Sequence, residues 1–237
     1  MPVAIVTGAS LGLGRALSLA LAREGWDLVV DARHEGPLRA AAEAIRSAGG
    51  SVSAIAGDVT DGAHRRSLVA AAAAHGRLDL LVNNASTLGP VPMPAIADYP
   101  AEELLKVYDV NVVAPVALTQ LALPLLTRSA GRVLNITSDA SVEPYEGWGG
   151  YGSSKAALDH ASRILAAELT DVPVYVVDPG DMRTQMHQDA FPGEDISDRP
   201  SPEAAVPGLL AVIHGGLPSG RHRLSDVPAR VDAETTT

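Results

Sequence analysis

The sequence predicts an α/β protein, with a parallel sheet covered by helices on both faces. Three observations predict it. Short apolar runs rich in Val and Ile alternate with longer segments whose apolar residues recur at helical spacing, as in right-handed β-α-β crossovers. The short runs are apolar at nearly every position, as befits strands buried on both faces. Glycines at Gly25, Gly49-Gly50 and Gly76 then close helical segments where a left-handed residue is needed. The chain has 237 residues, long for one domain but suited to one large sheet. No linker or fixed-period repeat divides it. The expectation is one domain over residues 1–227 and a flexible tail at 228–237.

Pro2 to Thr7 reads as the first buried strand. The turn Gly8-Ala9-Ser10-Leu11-Gly12-Leu13-Gly14 follows, then a helix that stops at Gly25. Asp27 to Ala32 is the second strand and Glu35 to Ala48 its helix. Val52 to Ala56 is the third strand, Asp61 to His75 an alanine-rich helix, and Leu78 to Asn83 the fourth strand. Thr87 to Pro100 holds Pro90, Pro92, Pro94 and Pro100 and is expected to be a loop. A long helix from Ala101 to about Arg128 leads to a fifth strand, Gly131 to Thr137. A helix from Tyr151 to about Leu169 precedes the sixth, Pro173 to Asp178. Pro179 to Pro200 has no clear period and is read as a lid or binding loop, with a substrate loop at about 185–203. Pro202 to Ile213 is a last helix, and Gly220 to Leu224 is read as a short, marginal final strand.

Hydrophobic residues make up 46% of the chain and aromatics only 3%, so aliphatic side chains must fill the core. A net charge of −10 argues against nucleic-acid and anionic-membrane partners. There is no cysteine, which excludes disulfides and thiolate chemistry. No charged-then-apolar segment opens the chain, and no wholly apolar run suggests a membrane span. The expected location is cytoplasmic. The seven histidines do not fall at metal-ligand spacing, so no metal is expected. No G-x-S-x-G elbow surrounds Ser138, which argues against a serine hydrolase.

Several residues carry candidate chemistry. The strand–glycine turn–helix at residues 2–25 suits a dinucleotide: glycines let the backbone approach a pyrophosphate, and the helix N-terminus supplies N–H donors. A glycine turn without ligand is the plainer alternative. Lys155 is one of only two lysines and lies four residues after Tyr151, on the same helical face. A nearby cation favours a phenolate and would lower the phenol's usual pKa of about 10. Taken alone, such a pair is common on solvated helices. Asn111 lies four residues before Pro115, whose missing N–H leaves the Asn111 carbonyl without its helical partner; a bend is expected there.

Together these parts resemble the single-domain branch of the short-chain dehydrogenase/reductase family, over roughly residues 3–215. Thr7-Gly8-x-x-x-Gly12-x-Gly14 matches the family's cofactor loop, which includes Ser10, Leu11 and Leu13. Asn83-Asn84-Ala85 matches the motif after its fourth strand, although Ser86 stands where glycine is usual. Asn111, Ser138, Tyr151 and Lys155 match its catalytic tetrad in order and spacing. Pro179-Gly180-x-Met182-x-Thr184 matches the segment that closes over the nicotinamide. The resemblance implies a Rossmann-type doubly wound parallel sheet of about seven strands, in order 3-2-1-4-5-6-7, within three αβα layers.

The activity implied is hydride transfer between a nicotinamide and a carbonyl or secondary alcohol. Tyr151 would exchange the proton and Ser138 would orient the reacting oxygen. Lys155 would tune Tyr151 and bind the nicotinamide ribose, with a water at Asn111 relaying protons. The family position that discriminates between cofactors falls on Ala32, followed by Arg33; an arginine there suits a 2′-phosphate. Strand alternation turns Asp31 to the other side. NADP(H) is therefore favoured, with NAD(H) the alternative if Asp31 takes the role. Asp58 and Val59 resemble the adenine-contacting pair. Trp148, Glu143, Met182, Met186, His187 and Phe191 are placed at the substrate pocket by position.

The implied partners are a small-molecule carbonyl or alcohol and further copies of the chain, as a homodimer or homotetramer through the helices from Ala101 and Tyr151. The polar SGRHRLSDV stretch departs from the firm final strand of many members and puts the tetramer in question. A non-catalytic sensor or scaffold, and an isomerase or dehydratase, remain alternatives on the same fold. The substrate is set by loops and is not legible from the sequence.

Overall fold

The structure, a computed structural model, describes residues 1–227; the expected flexible tail at 228–237 lies outside the described residues. Seven parallel strands form one sheet in the order β3-β2-β1-β4-β5-β6-β7. They are β1 (Val3–Val6), β2 (Asp27–Ala32), β3 (Ser51–Ala56), β4 (Leu80–Asn83), β5 (Arg132–Ile136), β6 (Val174–Asp178) and β7 (Gly220–Arg223). The central strands β1 and β4 are buried at every position. This is why their sequences are apolar without alternation. At the edges the pattern relaxes: β3 is largely exposed and β7 carries Arg221, His222 and Arg223. The final strand is nevertheless properly paired, with Tyr175 opposite Gly220 and Asp178 opposite Arg223.

Helices cover both faces: α1 (Gly12–Arg23), α2 (Glu35–Ser47), α3 (Gly62–Ala74), α4 (Ala101–Tyr108), α5 (Ala114–Ser129), α6 (Gly149–Glu168), α7 (Gln185–Ala190) and α8 (Val206–His214). One core joins Leu13, Leu17 and Leu21 of α1 to Leu38 and Ile45 of α2, and to Leu209 and Val212 of α8. The other joins Leu68 of α3 to Leu118, Leu125 and Leu126 of α5. The two cores lie on opposite faces of the sheet, because alternate residues of each strand point to opposite sides. Val6 belongs to one core and Ile5 to the other.

One departure from the sequence reading bears on the site. The stretch 179–200 is not wholly irregular, since it contains α7, six residues long. Thr184 caps this helix, its hydroxyl accepting the His187 N–H at 3.1 Å. Six residues are too few to show a 3.6-residue period, which is why the sequence reads as loop. The long helix expected from Ala101 is present as the continuous run Ala101–Ser129; what the sequence reading did not flag is that it is long and apolar enough by length and composition to cross a membrane. In this fold it packs on α3, β4 and β5 as a layer of the protein.

The expected distortion at Asn111 is present. Residues Asp109–Val113 form a π-helical turn between α4 and α5, with Asn111 fully buried at its centre. Pro115, with no N–H to give, makes a regular α-turn impossible there.

Candidate active site

The strand order reverses between β1 and β4, and a cleft opens there at the C-terminal ends of the strands, where open α/β sheets bind ligands. Its volume is about 380 Å³.

One end is built by the glycine turn. Gly8 has φ +65°, and a Cβ there would stand 2.9 Å from the Ala85 Cα; one on Gly14 would stand 2.5 Å from the Gly8 carbonyl oxygen. The turn can close only without side chains at these positions. Asn84 and Thr7 hold it closed. The Asn84 amide donates to the carbonyls of Thr7 and Gly8, at 2.8 and 3.2 Å. The Thr7 hydroxyl accepts the N–H groups of Asn84 and Ala85, at 2.9 and 3.0 Å. Gly8, Ser10, Leu11, Gly12, Leu13, Asn84 and Ala85 all line the cleft, whereas Gly14 lies beneath it, against Gly8.

Ala32, Arg33, Asp58 and Val59 close this end. Asp31 also reaches the cleft wall, but both its oxygens are engaged: one accepts the Gly8 N–H at 2.8 Å and the other faces His64 Nε2 at 2.9 Å. Its carboxylate pins the glycine turn. Burial pushes the Asp58 carboxyl up, but hydrogen bonds from Thr60 and the charges of Arg33 and His64 outweigh this, and it lies below its ordinary value.

The other end holds Ser138, Tyr151 and Lys155. Ser138, two residues beyond the end of β5, has extended backbone and caps the 3-10 turn Asp139–Ser141. Its hydroxyl donates to Asp139 at 2.9 Å. Tyr151 and Lys155 project from α6 one turn apart, and the Lys155 ammonium lies 5.5 Å from the Tyr151 ring centre. It donates to the Ile136 carbonyl at 2.9 Å. Burial pushes the Tyr151 phenol far above its ordinary value. The charges of Asp139 and Asp178 add to this, while hydrogen bonds with Ser138 and Ser86 oppose it. Burial also pushes Lys155 down to about 8, against the raising effect of Asp159. The expected lowering of the phenol by Lys155 is not seen: burial disfavours the charged form of both groups, and Lys155 is not among the groups that shift Tyr151.

Asn111 does not line the cleft. Its side chain sits behind, donating to the Thr87 carbonyl and the Ser154 hydroxyl, and accepting from the Ser86 hydroxyl and the Thr87 N–H. All four of its hydrogen-bonding positions are filled, so any water held there would have to use the main chain.

Pro179, Gly180, Met182 and Thr184 line the cleft, as do Trp148, Met186 and His187. Two expected pocket residues are elsewhere. Glu143 stands on the exposed outer side of the turn after Ser138, and Phe191 packs behind Trp148 and His187 at 5.7 and 4.9 Å between ring centres. Position in sequence placed them near the pocket, but the turn and α7 point them away. The sequence reading overlooked the engagement of Asp31 by His64, the bond from Ser86 to Asn111, Asp139 beside Ser138, and a hydrogen-bond network around Arg221. Only Ser86 had a local signal, its departure from glycine.

Comparison with known proteins agrees with this geometry. The pattern of the short chain dehydrogenase family matches residues 2–195. An uncharacterized oxidoreductase of Saccharomyces cerevisiae is 35% identical over 235 residues, covering 98% of this chain and 88% of that protein. Benzil reductase ((S)-benzoin forming) of the same yeast is 35% identical over 217 residues, covering 88% and 80%. An alcohol dehydrogenase from the archaeon Thermococcus sibiricus, solved with 5-hydroxy-NADP, superposes with a TM-score of 0.83 at 27% identity, covering 94% and 95% of the two chains. On the cofactor loop, the Ser138–Tyr151–Lys155 cluster, the sheet order and these matches, the chain belongs to the short-chain dehydrogenase/reductase family of NAD(P)-dependent oxidoreductases.

Proposed function

We propose that this chain is an NADP(H)-dependent carbonyl reductase or alcohol dehydrogenase acting on a small molecule, with Tyr151 as its acid/base. The observation that carries the reading is one cleft with the glycine turn and Arg33 at one end and Ser138, Tyr151 and Lys155 at the other. The glycine cradle fits a pyrophosphate, because side chains are excluded where its oxygens must approach backbone N–H groups. Arg33 at the cleft suits a 2′-phosphate, and Asp31 is held by Gly8 and His64 rather than free for a ribose hydroxyl. This supports NADP(H) over NAD(H). The NADP analogue in the archaeal relative points the same way.

When bound, the nicotinamide supplies or receives the hydride. The chain's own residues handle the proton and the oxygen. Tyr151, kept neutral by burial, is poised to donate its proton to a substrate oxygen. Ser138 hydrogen-bonds and orients that oxygen once its hydroxyl turns from Asp139. Lys155 has lost much of its solvation and becomes a stronger partner for any oxygen that approaches it. One relative is named as a reductase, which supports reduction as the direction. Leu88, Trp148 and Met186 give the substrate end an apolar wall, so a ketone or aldehyde with an apolar substituent fits best.

The test is turnover of a panel of ketones and aldehydes with NADPH, followed by the loss of reduced-nicotinamide absorbance. Tyr151→Phe is expected to lower kcat by at least about 10²-fold while NADPH still binds. Near wild-type turnover in that variant would remove Tyr151 from the mechanism. A wild type that binds NADPH but turns over no carbonyl or alcohol would instead favour a sensor.

A further inference from the structure

β7 carries more polar contacts than a supporting edge strand needs, and they converge on Arg221. Its Nε donates to Asp159 at 2.9 Å. Its Nη2 lies 3.3 Å from the Ser138 carbonyl oxygen, 3.3 Å from Asp178 Oδ2 and 3.5 Å from the Ser141 hydroxyl. Ser141 strengthens the knot: its hydroxyl lies 2.7 Å from the same Ser138 carbonyl and 2.8 Å from Asp159. Asp159 and Asp178 are 5% and 2% exposed, so each carboxylate needs a cation. Among the described residues, Arg221 is the only cation in an ion pair with Asp159, and it shares Asp178 with Arg223.

The three anchored segments are the three that carry the reaction. Ser138 follows β5 by two residues. Asp159 lies one turn beyond Lys155 on α6, the helix that also presents Tyr151. Asp178 ends β6 and accepts the Gly180 N–H at 3.0 Å, at the start of the segment over the nicotinamide end of the cleft. A planar guanidinium with five donors can hold all three at fixed angles, whereas a flexible ammonium cannot.

We propose that Arg221 is a positioning residue for the reaction, holding the Ser138 main chain in register with Tyr151 and Lys155. It touches none of the reacting atoms. It acts through the Ser138 carbonyl, because fixing that peptide fixes where the Ser138 hydroxyl can reach. This rests on the reading above that Ser138 orients the reacting oxygen.

The experiment measures kcat with NADPH and a carbonyl substrate for wild type, Arg221→Met, Arg221→Lys and Ser138→Ala. Each kcat is expressed per NADPH-binding site, titrated by nicotinamide fluorescence. Arg221→Met is expected to lose about tenfold to a hundredfold in kcat, the cost of a displacement on the order of 1 Å, with NADPH affinity unchanged. Arg221→Lys is expected to recover part of the loss, since it keeps the charge but not the fork. A wild-type kcat in Arg221→Met overturns the proposal. So does a loss that vanishes when scaled to the fraction binding NADPH, which would mean a structural role alone. If Arg221→Met does not fold, Arg221→Lys decides: reduced kcat at full NADPH binding supports the proposal, and wild-type kcat overturns it. Ser138→Ala separates the two levels. If it keeps full kcat, the Ser138 reading fails and this inference with it; if it loses kcat while Arg221→Met does not, only this inference fails.

Discussion

Lys155 is 3% exposed and carries a charge that burial disfavours. Its pKa in the folded chain is about 8, below the about 10.4 of an unfolded lysine. Below pH about 8 the lysine is protonated in both states, and folding carries the full cost of burying the charge. Between pH about 8 and about 10.4 the unfolded chain holds more protons, so stability rises with pH through that window. The cost below it is on the order of 3 kcal/mol. Lys155→Met is therefore expected to raise Tm at pH 7, to lose that advantage near pH 10, and to lose turnover. Thermal melts at both pH values check this, and an equal Tm difference at each would contradict it. At the other end of the cleft, Arg33→Ala is expected to weaken NADPH binding about tenfold or more and to leave NADH nearly unchanged. Asp31→Asn, which loosens the Gly8 anchor, should weaken both cofactors together. A switch in preference on changing Asp31 would reverse the assignment.

Among the elements, short and distorted pieces sit closest to the chemistry. The π-helical turn at Asp109–Val113 turns Asn111 inward, where its amide joins the loop at Ser86 and Thr87 to Ser154 on α6. The sequence indicated a bend through Pro115, but not that the asparagine side chain would be saturated. Helix α7 depends on its cap more than a long helix would, since six residues cannot sustain a helix by propensity. Thr184→Ala removes the hydroxyl that accepts the His187 N–H, at a local cost of about 1 kcal/mol. Hydrogen exchange at residues 185–190 is expected to speed up about fivefold while the global Tm holds. Unchanged exchange there would mean that packing of Phe191 on Trp148, not the cap, holds the segment.

For the whole molecule, the long helical run exposes Leu105, Val113 and Leu121, and α6 exposes Ile164. A homodimer through these helices would cover them. If the wild type elutes as such a dimer, Ile164→Glu is expected to shift it to monomer in size-exclusion chromatography with light scattering. A wild type that elutes as a monomer would count against that interface.

By itself, the sequence determined what is local or periodic. The buried central strands, the glycine turn, the helices with three or more turns, and the Ser138, Tyr151 and Lys155 positions could all be read from spacing and from family resemblance. These features depend on neighbours a few residues away, so they leave a pattern in the chain. Tertiary structure alone decided which charges meet. Asp31 is held by His64, 33 residues away, and Ser138 by Arg221, 83 residues away. No period or motif marks such pairs, because the sheet order rather than chain proximity brings them together. The pKa shifts of Tyr151 and Lys155 were likewise decided by burial. Spacing put Lys155 beside Tyr151, but only the packed interior fixed how much water each would lose, and that loss raises the phenol's pKa and lowers the ammonium's.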